Sequence, residues 1–373
     1  MIEEYIEGAR IVRVRRLLTL ALACVLPTMV RAATAFPALE RPALEVRAPE
    51  RQLMTSAARA GDRVVAVGER GIVVLSDDGG GTWRQARRVP VSTTLTAVAF
   101  ADSMKGWSVG HGGVVLHTED GGETWEKQAD GAVLARAALD TMSQAARRHP
   151  EDERYAQAMK ATQRLVEDGA DKPLLDVHFA DTLHGWVVGA YNLFFETDDG
   201  GKTWQGRADR LNNPKGLHLY AIRSEGRRLY IVGEQGQLHR SVDGGMTFEA
   251  LSSPYKGSLF AMGFTDTAEV VIAGLRGNAF RSSDDGLTWR KIDGMAPVSI
   301  IGMWPLVDGG ALLANQEGQM FVDRPGSSVK PIPVPPMQPL AGVLLLKDDS
   351  LLALGIGGVV RVPIGHDKTK EPK

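Results

Sequence analysis

Cysteine is almost absent from this 373-residue chain, in which Cys24 is the single example. One cysteine can form no internal disulfide and cannot supply the paired thiolates of a structural zinc site. The histidines are few and scattered, without the spacing of metal ligands, and no glycine cluster leads into a helix as in a phosphate-binding loop. The sequence therefore predicts no metal site and no cofactor.

An excess of charge of one sign is also missing. The chain has 43 basic and 45 acidic side chains, for a net charge of -2. Residues 1–35 carry five basic and three acidic side chains, so their removal leaves a net charge of -4. Proteins that bind nucleic acid or anionic membranes nonspecifically carry a positive excess. Both classes are excluded.

Long apolar runs are lacking too. The longest, at 17–26, is too short to cross a bilayer, but it follows four arginines and precedes the small residues 32–35. This order is typical of a secretory signal peptide. We therefore expect residues 1–35 to direct export to a periplasm, or to the thylakoid lumen of a photosynthetic host. Cys24 is interpreted as part of the apolar run, because the residues before it fit a lipidation site poorly.

What the chain does contain is one motif in five copies. Its frame is Ser/Thr-x-Asp-x-Gly-x-Thr-aromatic, at 76–83, 118–125, 197–204, 241–248 and 282–289. The hydroxyl and carboxylate can bind the backbone amides of a tight turn, and glycine supplies a positive φ. This motif is the Asp box, also called the BNR repeat. We expect purely structural roles for its acids and aromatics: Asp78, Asp120, Asp199, Asp243, Asp284, Trp83, Trp125, Trp204, Phe248 and Trp289.

The copies recur with a period near 42 residues, except for a step of 79 between the second and third. Each box follows three strands, with a glycine turn between the second and the third, and precedes a short fourth strand. Two further repeats lack the box. Four antiparallel strands in each of seven repeats predict an all-β, seven-bladed β-propeller over residues 39–365. A parallel β-helix is the alternative, but its rungs are shorter than this period. We expect residues 43–47 to close the ring as the outer strand of blade 7, and 366–373 to form a charged tail.

The long step contains an insertion with a period of 3.6 residues. Apolar positions share one face before Pro150 and another after it, and acidic residues open the second segment. The sequence therefore predicts a helical hairpin at 131–168, between blades 2 and 3. It would rise from the face of the propeller opposite the Asp boxes. There the hairpin would either bind a partner or only pack against the rim of the propeller.

Variable glycine-turn residues on that same face are the candidate partner-binding residues. Binding commonly uses variable loops on a rigid scaffold. The candidates are Arg70, His111, Tyr191, Gln235 and Arg276.

Sialidases also contain Asp boxes, so a carbohydrate-active propeller is an alternative. The nearest match to their Arg-Ile-Pro motif, Arg88-Val89-Pro90, follows the first box instead of preceding it. The tyrosines show no partner pattern, and the glycine-turn glutamates lie in different repeats. We therefore predict no catalytic residues and no enzyme activity.

The pairing of strand-Val-Gly-x-x-Gly with the Asp box resembles the photosystem II assembly and stability factor family. The resemblance covers about residues 45–365 and is closest at 109–125 and 188–204. It implies a non-catalytic exported propeller that binds a membrane-protein complex or its exported tail. We expect the protein to be a monomer. An accessory to an envelope transporter is the alternative. The family also carries an arginine-rich face. The candidates for such a face here are Arg223, Arg227, Arg228, Arg240, Arg276 and Arg281. The alternative is that these arginines are separate, solvated surface charges.

Overall fold

Seven antiparallel sheets follow one another along the chain. The computed structural model describes residues 36–348 and 350–363, in which six sheets have four strands and the last has three. The first strand of each sheet contacts the first strand of the next, and that of the seventh sheet contacts that of the first. The chain therefore forms a closed ring, and the predicted seven-bladed β-propeller is confirmed.

The strands are numbered in chain order, and each blade runs from its inner to its outer strand. Blade 1 contains β1 (Met54–Ala60), β2 (Arg63–Gly68), β3 (Val73–Ser76) and β4 (Arg84–Gln85). Blade 2 contains β5 (Leu95–Phe100), β6 (Gly106–Gly110), β7 (Val115–Thr118) and β8 (Glu126–Ala129). Blade 3 contains β9 (Leu174–Phe179), β10 (Gly185–Gly189), β11 (Phe194–Thr197) and β12 (Gln205–Gly206). Blade 4 contains β13 (Leu219–Glu225), β14 (Arg228–Gly233), β15 (Leu238–Ser241) and β16 (Glu249–Ala250). Blade 5 contains β17 (Leu259–Phe264), β18 (Val270–Gly274), β19 (Ala279–Ser282) and β20 (Arg290–Lys291). Blade 6 contains β21 (Ile300–Pro305), β22 (Ala311–Asn315), β23 (Met320–Asp323) and β24 (Lys330–Ile332). Blade 7 contains β25 (Leu340–Leu345), β26 (Leu351–Gly355) and β27 (Gly358–Val362).

The second strand of each blade is the most deeply buried element. In β6, β10 and β18 every residue is buried, because neighbouring blades cover both faces of the sheet. Each of these strands ends in glycine for a steric reason. A Cβ on Gly110 would lie 2.2 Å from the carbonyl oxygen of Thr94, and one on Gly274 would lie 2.1 Å from that of Ser258. The repeated Val-Gly signature thus marks the close passage of one backbone past another.

The two rims of the ring are built from different turns. On one rim the Asp-box turn lies beside the turn between the first and second strands, as shown by the Gly121 N–H donating to the Met104 carbonyl at 2.9 Å. On the other rim the turn between the second and third strands lies beside the connection to the next blade. We call these the Asp-box rim and the variable rim.

The ring does not close as predicted from the sequence. Residues 43–47 form no strand and do not pair with β27; the Val46 N–H donates to Gln85 Oε1 at 3.1 Å, beside blade 1. Val46 nonetheless packs against a hydrophobic cluster that includes Leu354 of blade 7 as well as residues of blade 1. Closure therefore uses side-chain packing and contact between β25 and β1, so the expected outer strand is wrong.

The insertion forms two helices, α1 (Gly131–Arg148) and α2 (Glu153–Asp168), which pack on each other as predicted. Asp130 caps α1 by accepting the N–H groups of Ala132 and Val133. The hairpin starts at the variable rim but does not stand free there, because α1 contacts β12 along the outer edge of blade 3. In the part of the chain described, no helix is both long and apolar enough to span a bilayer.

Candidate functional site

The Asp-box acids bind their own turns. In the second box, Asp120 Oδ1 accepts the Thr118 hydroxyl and the Thr124 N–H, both at 2.9 Å, and Oδ2 accepts the Thr124 hydroxyl at 2.7 Å. The other four boxes repeat this pattern. Hydrogen bonds from Thr288 and Ser282 lower the pKa of Asp284 to about 2. With these bonds made within each turn, the geometry supports a structural role for the acids.

The box aromatics differ in their surroundings. Trp125 is fully buried and donates its indole N–H to the Gly122 carbonyl at 2.9 Å, as Trp289 does to Gly286 at 3.0 Å. Trp204 is also buried, but its indole N–H has no partner among the described residues. Trp83 and Phe248 are half-buried against the core.

The five candidate partner-binding residues all lie exposed on the variable rim, one in each of blades 1 to 5. Arg70, Tyr191, Gln235 and Arg276 have φ between 53° and 57°, in the left-handed region that glycine prefers. His111 does not share this position; in blade 2 it is held by Gly112, one residue later. Non-glycine residues in this strained conformation are often functional.

One of the five, Tyr191, begins a continuous row of rings. Its ring centroid lies 4.8 Å from that of His218, which is 6.2 Å from Tyr220. Tyr220 is in turn 5.1 Å from Phe260. We call Tyr191, His218, Tyr220 and Phe260 the aromatic row. It joins the variable rim of blade 3 to the innermost strands of blades 4 and 5.

Polar groups border the aromatic row. The Lys172 ammonium lies 5.4 Å from the centre of the Tyr191 ring, and the Tyr191 N–H donates to His218 Nδ1 at 3.2 Å. Glu234 accepts the His218 backbone N–H at 3.1 Å. Burial, and then the nearby Glu234 carboxylate, raise the pKa of Tyr220. The Tyr220 phenol therefore stays neutral and available as a hydrogen-bond donor.

The row exists because of a repeated β-bulge. Pairing skips the second residue of every innermost strand, at Thr55, Thr96, Leu175, Tyr220, Phe260, Ile301 and Ala341. In blades 1 and 2 this residue is a threonine that bonds the next blade's backbone. In blades 3 to 7 it is an aliphatic or aromatic residue. Aligning the repeats at Leu-Tyr-Ala-Ile and Leu-Phe-Ala-Met would have revealed this position, which sequence reasoning missed.

The candidate arginine-rich face is not a free basic patch. Arg281 is buried and binds Asp323 at 2.6 Å and Glu269 at 2.5 Å. Arg228 pairs with Glu225 and Asp285, Arg240 with Glu249, and Arg223 with the buried Asp176. Only Arg227 and Arg276 form no ion pair with a described residue. The structure therefore neutralises most of the positive charge.

Within residues 36–348 and 350–363, no group of three or more histidine, cysteine, aspartate or glutamate side chains could hold a metal ion. The predicted signal peptide with Cys24, and the tail at 366–373, lie outside the described residues.

Comparison with known families identifies one that matches more than half of the chain. The family described as "Photosynthesis system II assembly factor YCF48" matches residues 83–143 and 156–293. The unmatched residues 144–155 contain the turn of the helical hairpin.

Individual relatives match parts of the chain. The photosystem II assembly lipoprotein Ycf48 of Synechococcus sp. (strain CC9902) is 32% identical over 117 residues, or 31% of this chain and 35% of the relative. That of Prochlorococcus marinus is 29% identical over 159 residues, or 42% and 47%. The matches thus span less than half of these relatives.

A solved structure of YCF48 bound to a D1 peptide shares the fold. It superimposes with a TM-score of 0.60 at 17% identity and covers 87% of this chain and 100% of the solved one.

Proposed function

Because the chain belongs to the photosynthesis system II assembly factor YCF48 family, we propose that it is a non-catalytic, exported assembly or stability factor. It binds an exported segment of a membrane-protein complex, such as photosystem II. The solved relative that holds a D1 peptide supports binding of such a segment.

One observation carries the choice of binding surface. The aromatic row places exposed and half-buried rings side by side on the variable rim, beside the ammonium of Lys172 and the carboxylate of Glu234. Aromatic side chains contribute large contact area at little cost in conformational entropy, and they dominate binding energies at protein interfaces. Tyr191 is 61% exposed, so it can contact a partner without rearrangement.

The test is direct binding of a labelled D1 peptide, together with capture of the tagged protein from crosslinked native membranes. We expect Tyr191→Ala to weaken peptide binding roughly tenfold, or about 1.4 kcal/mol, the usual loss for an interface aromatic. Leu183→Ala is the matched control, because Leu183 is a 49% exposed apolar residue of the same blade on the Asp-box rim.

Two results would contradict the proposal. If the wild-type protein bound neither the peptide nor a membrane complex, the assembly function would be wrong. If binding occurred but Leu183→Ala weakened it as much as Tyr191→Ala, the function would stand and the surface would be wrong.

A further inference from the structure

The turn between the second and third strands contains two successive residues of positive φ in each of blades 1 to 5. In blade 3 the second of these residues is Asn192, with φ 65°. In the other four blades it is glycine: Gly71, Gly113, Gly236 and Gly277. Asparagine tolerates the left-handed region better than most residues do, but only glycine adopts it without strain. Blade 3 therefore departs from the repeat at a position where the backbone favours glycine.

The glycine of the other blades also leaves room for the chain that leads to the next blade. A Cβ on Gly71 would lie 2.0 Å from the carbonyl oxygen of Val91, in the connection after blade 1. One on Gly277 would lie 2.1 Å from the carbonyl oxygen of Ala296, in the connection after blade 5. Because Asn192 has a Cβ, the connection after blade 3 cannot pass its turn as closely.

That connection is held by Asn213, whose side chain is only 6% exposed. Its amide nitrogen donates to Asn192 Oδ1 and to the Leu217 carbonyl, both at 2.9 Å. Its Oδ1 accepts the Leu217 N–H at 3.0 Å. Both amide hydrogens and the oxygen thus have partners, as a buried amide requires. One buried side chain therefore ties the turn of blade 3 to the segment that leads into β13.

Both ends of this network lead directly into the aromatic row. Asn192 follows Tyr191 in the chain, and Leu217 precedes His218. The Tyr191 N–H donates to His218 Nδ1 at 3.2 Å, and the two ring centroids are 4.8 Å apart. The hydrogen bond between Asn192 and Asn213 therefore joins the two backbone segments that carry the first two rings of the row.

We propose that Asn192 and Asn213 are positioning residues of the partner-binding surface, which hold Tyr191 and His218 together before a client segment binds. This proposal rests on the proposed function, in which the aromatic row binds that segment. Non-glycine residues with strained backbone persist where the surrounding structure holds them, and they cluster at binding sites. A preformed surface loses less conformational entropy on binding. The two asparagines thus order the surface at the cost of backbone strain.

The main test is Asn192→Gly, which restores the residue of the other blades and removes the oxygen that accepts the Asn213 amide. We expect the free energy of unfolding to change little, because relief of the strain offsets the lost hydrogen bond. Binding of the labelled D1 peptide should weaken about five- to tenfold, since the surface must then become ordered on binding. Hydrogen exchange at the Tyr191 amide should become faster, because its contact with His218 loosens.

Two further variants separate positioning from a general effect on the fold. Asn192→Asp keeps a side-chain oxygen for the Asn213 amide and tolerates the left-handed region, so we expect nearly wild-type affinity. Asn212→Ala is the matched control, because Asn212 is an exposed asparagine next to Asn213 in the same connection. We expect it to bind the peptide as the wild type does.

The inference would be overturned if Asn192→Gly kept wild-type affinity or wild-type exchange at the Tyr191 amide. An equal loss of affinity in Asn212→Ala or in Asn192→Asp would also overturn it, as would a loss of affinity in Asn192→Gly that only accompanies unfolding. If Tyr191→Ala weakened binding while Asn192→Gly did not, only this inference would fail. If the wild type bound neither the D1 peptide nor a membrane complex, the proposed function would fail as well.

Discussion

The two rims of this propeller are made from the same seven repeats, but they differ in how their polar groups are used. On the Asp-box rim, each carboxylate is bonded to the hydroxyls and amides of its own turn. On the variable rim, the side chain exposed by the turn varies from blade to blade, and the turn of blade 3 begins a row of rings that reaches blades 4 and 5. The residues that repeat on the Asp-box rim thus stabilise their own turns, whereas the residues that vary on the variable rim expose side chains that can bind a partner.

The box tryptophans show that even the repeated turns differ in how they use their polar groups, and substitutions can measure this difference. We expect Trp125→Phe to lower the free energy of unfolding by about 2–3 kcal/mol, because it leaves a cavity and an unpaired Gly122 carbonyl. Trp204→Phe should cost clearly less, since it removes an indole N–H that has no partner among the described residues. Denaturant unfolding of both variants tests this, and equal losses would contradict the distinction.

Removing a box carboxylate should have the next largest effect. Asp120→Ala leaves two threonine hydroxyls and one backbone N–H without their acceptor, so we expect a loss of about 2 kcal/mol. Thermal unfolding measures it, with Glu119→Ala as the control, because Glu119 is exposed in the same turn. A neutral Asp120→Ala would show that the box is dispensable.

On the variable rim, glycine should stabilise. Tyr191 has φ 55°, and Tyr191→Gly relieves a strain of about 1 kcal/mol while weakening client binding. The reverse change, Gly112→Ala, should destabilise, because φ is 73° there and a Cβ would lie 3.1 Å from Leu39 and Phe36. The free energies of unfolding of both variants test these two predictions. A destabilised Tyr191→Gly variant would mean that the contacts of the Tyr191 ring outweigh the backbone strain.

Acid should weaken the Asp-box rim selectively. The folded pKa of Asp284 is about 2, below the ordinary value of 3.8, so the unfolded chain binds the proton first as the pH falls. The stabilisation is complete above pH 3.8 and is lost towards pH 2. Unfolding measured across this window should show a shallower pH dependence in Asp284→Asn than in the wild type. An unchanged slope would contradict the pKa.

Much of the fold was predictable because its determinants are local. The box turns, the Val-Gly strand ends and the helical hairpin follow from short segments that each satisfy their own hydrogen bonds or hydrophobic period. The closure by 43–47 was predicted wrongly, because the choice between β27 and Gln85 depends on how distant segments meet. Of the candidate site, the exposed turn residues were predicted. Tyr220 and Phe260 were missed, although an alignment of the repeats marks their shared position. That His218 lies between Tyr191 and Tyr220 is visible only in the structure.

The sequence alone determined the number of blades, the rim that carries the Asp boxes and the position of the insertion, because a period and a turn motif encode these within one repeat. Only the tertiary structure decided that Tyr191 meets His218, that α1 lies along β12, and that the indole N–H of Trp204 lacks an acceptor among the described residues. These features arise between blades, where residues far apart in the chain come together, and no single repeat contains the information to specify them.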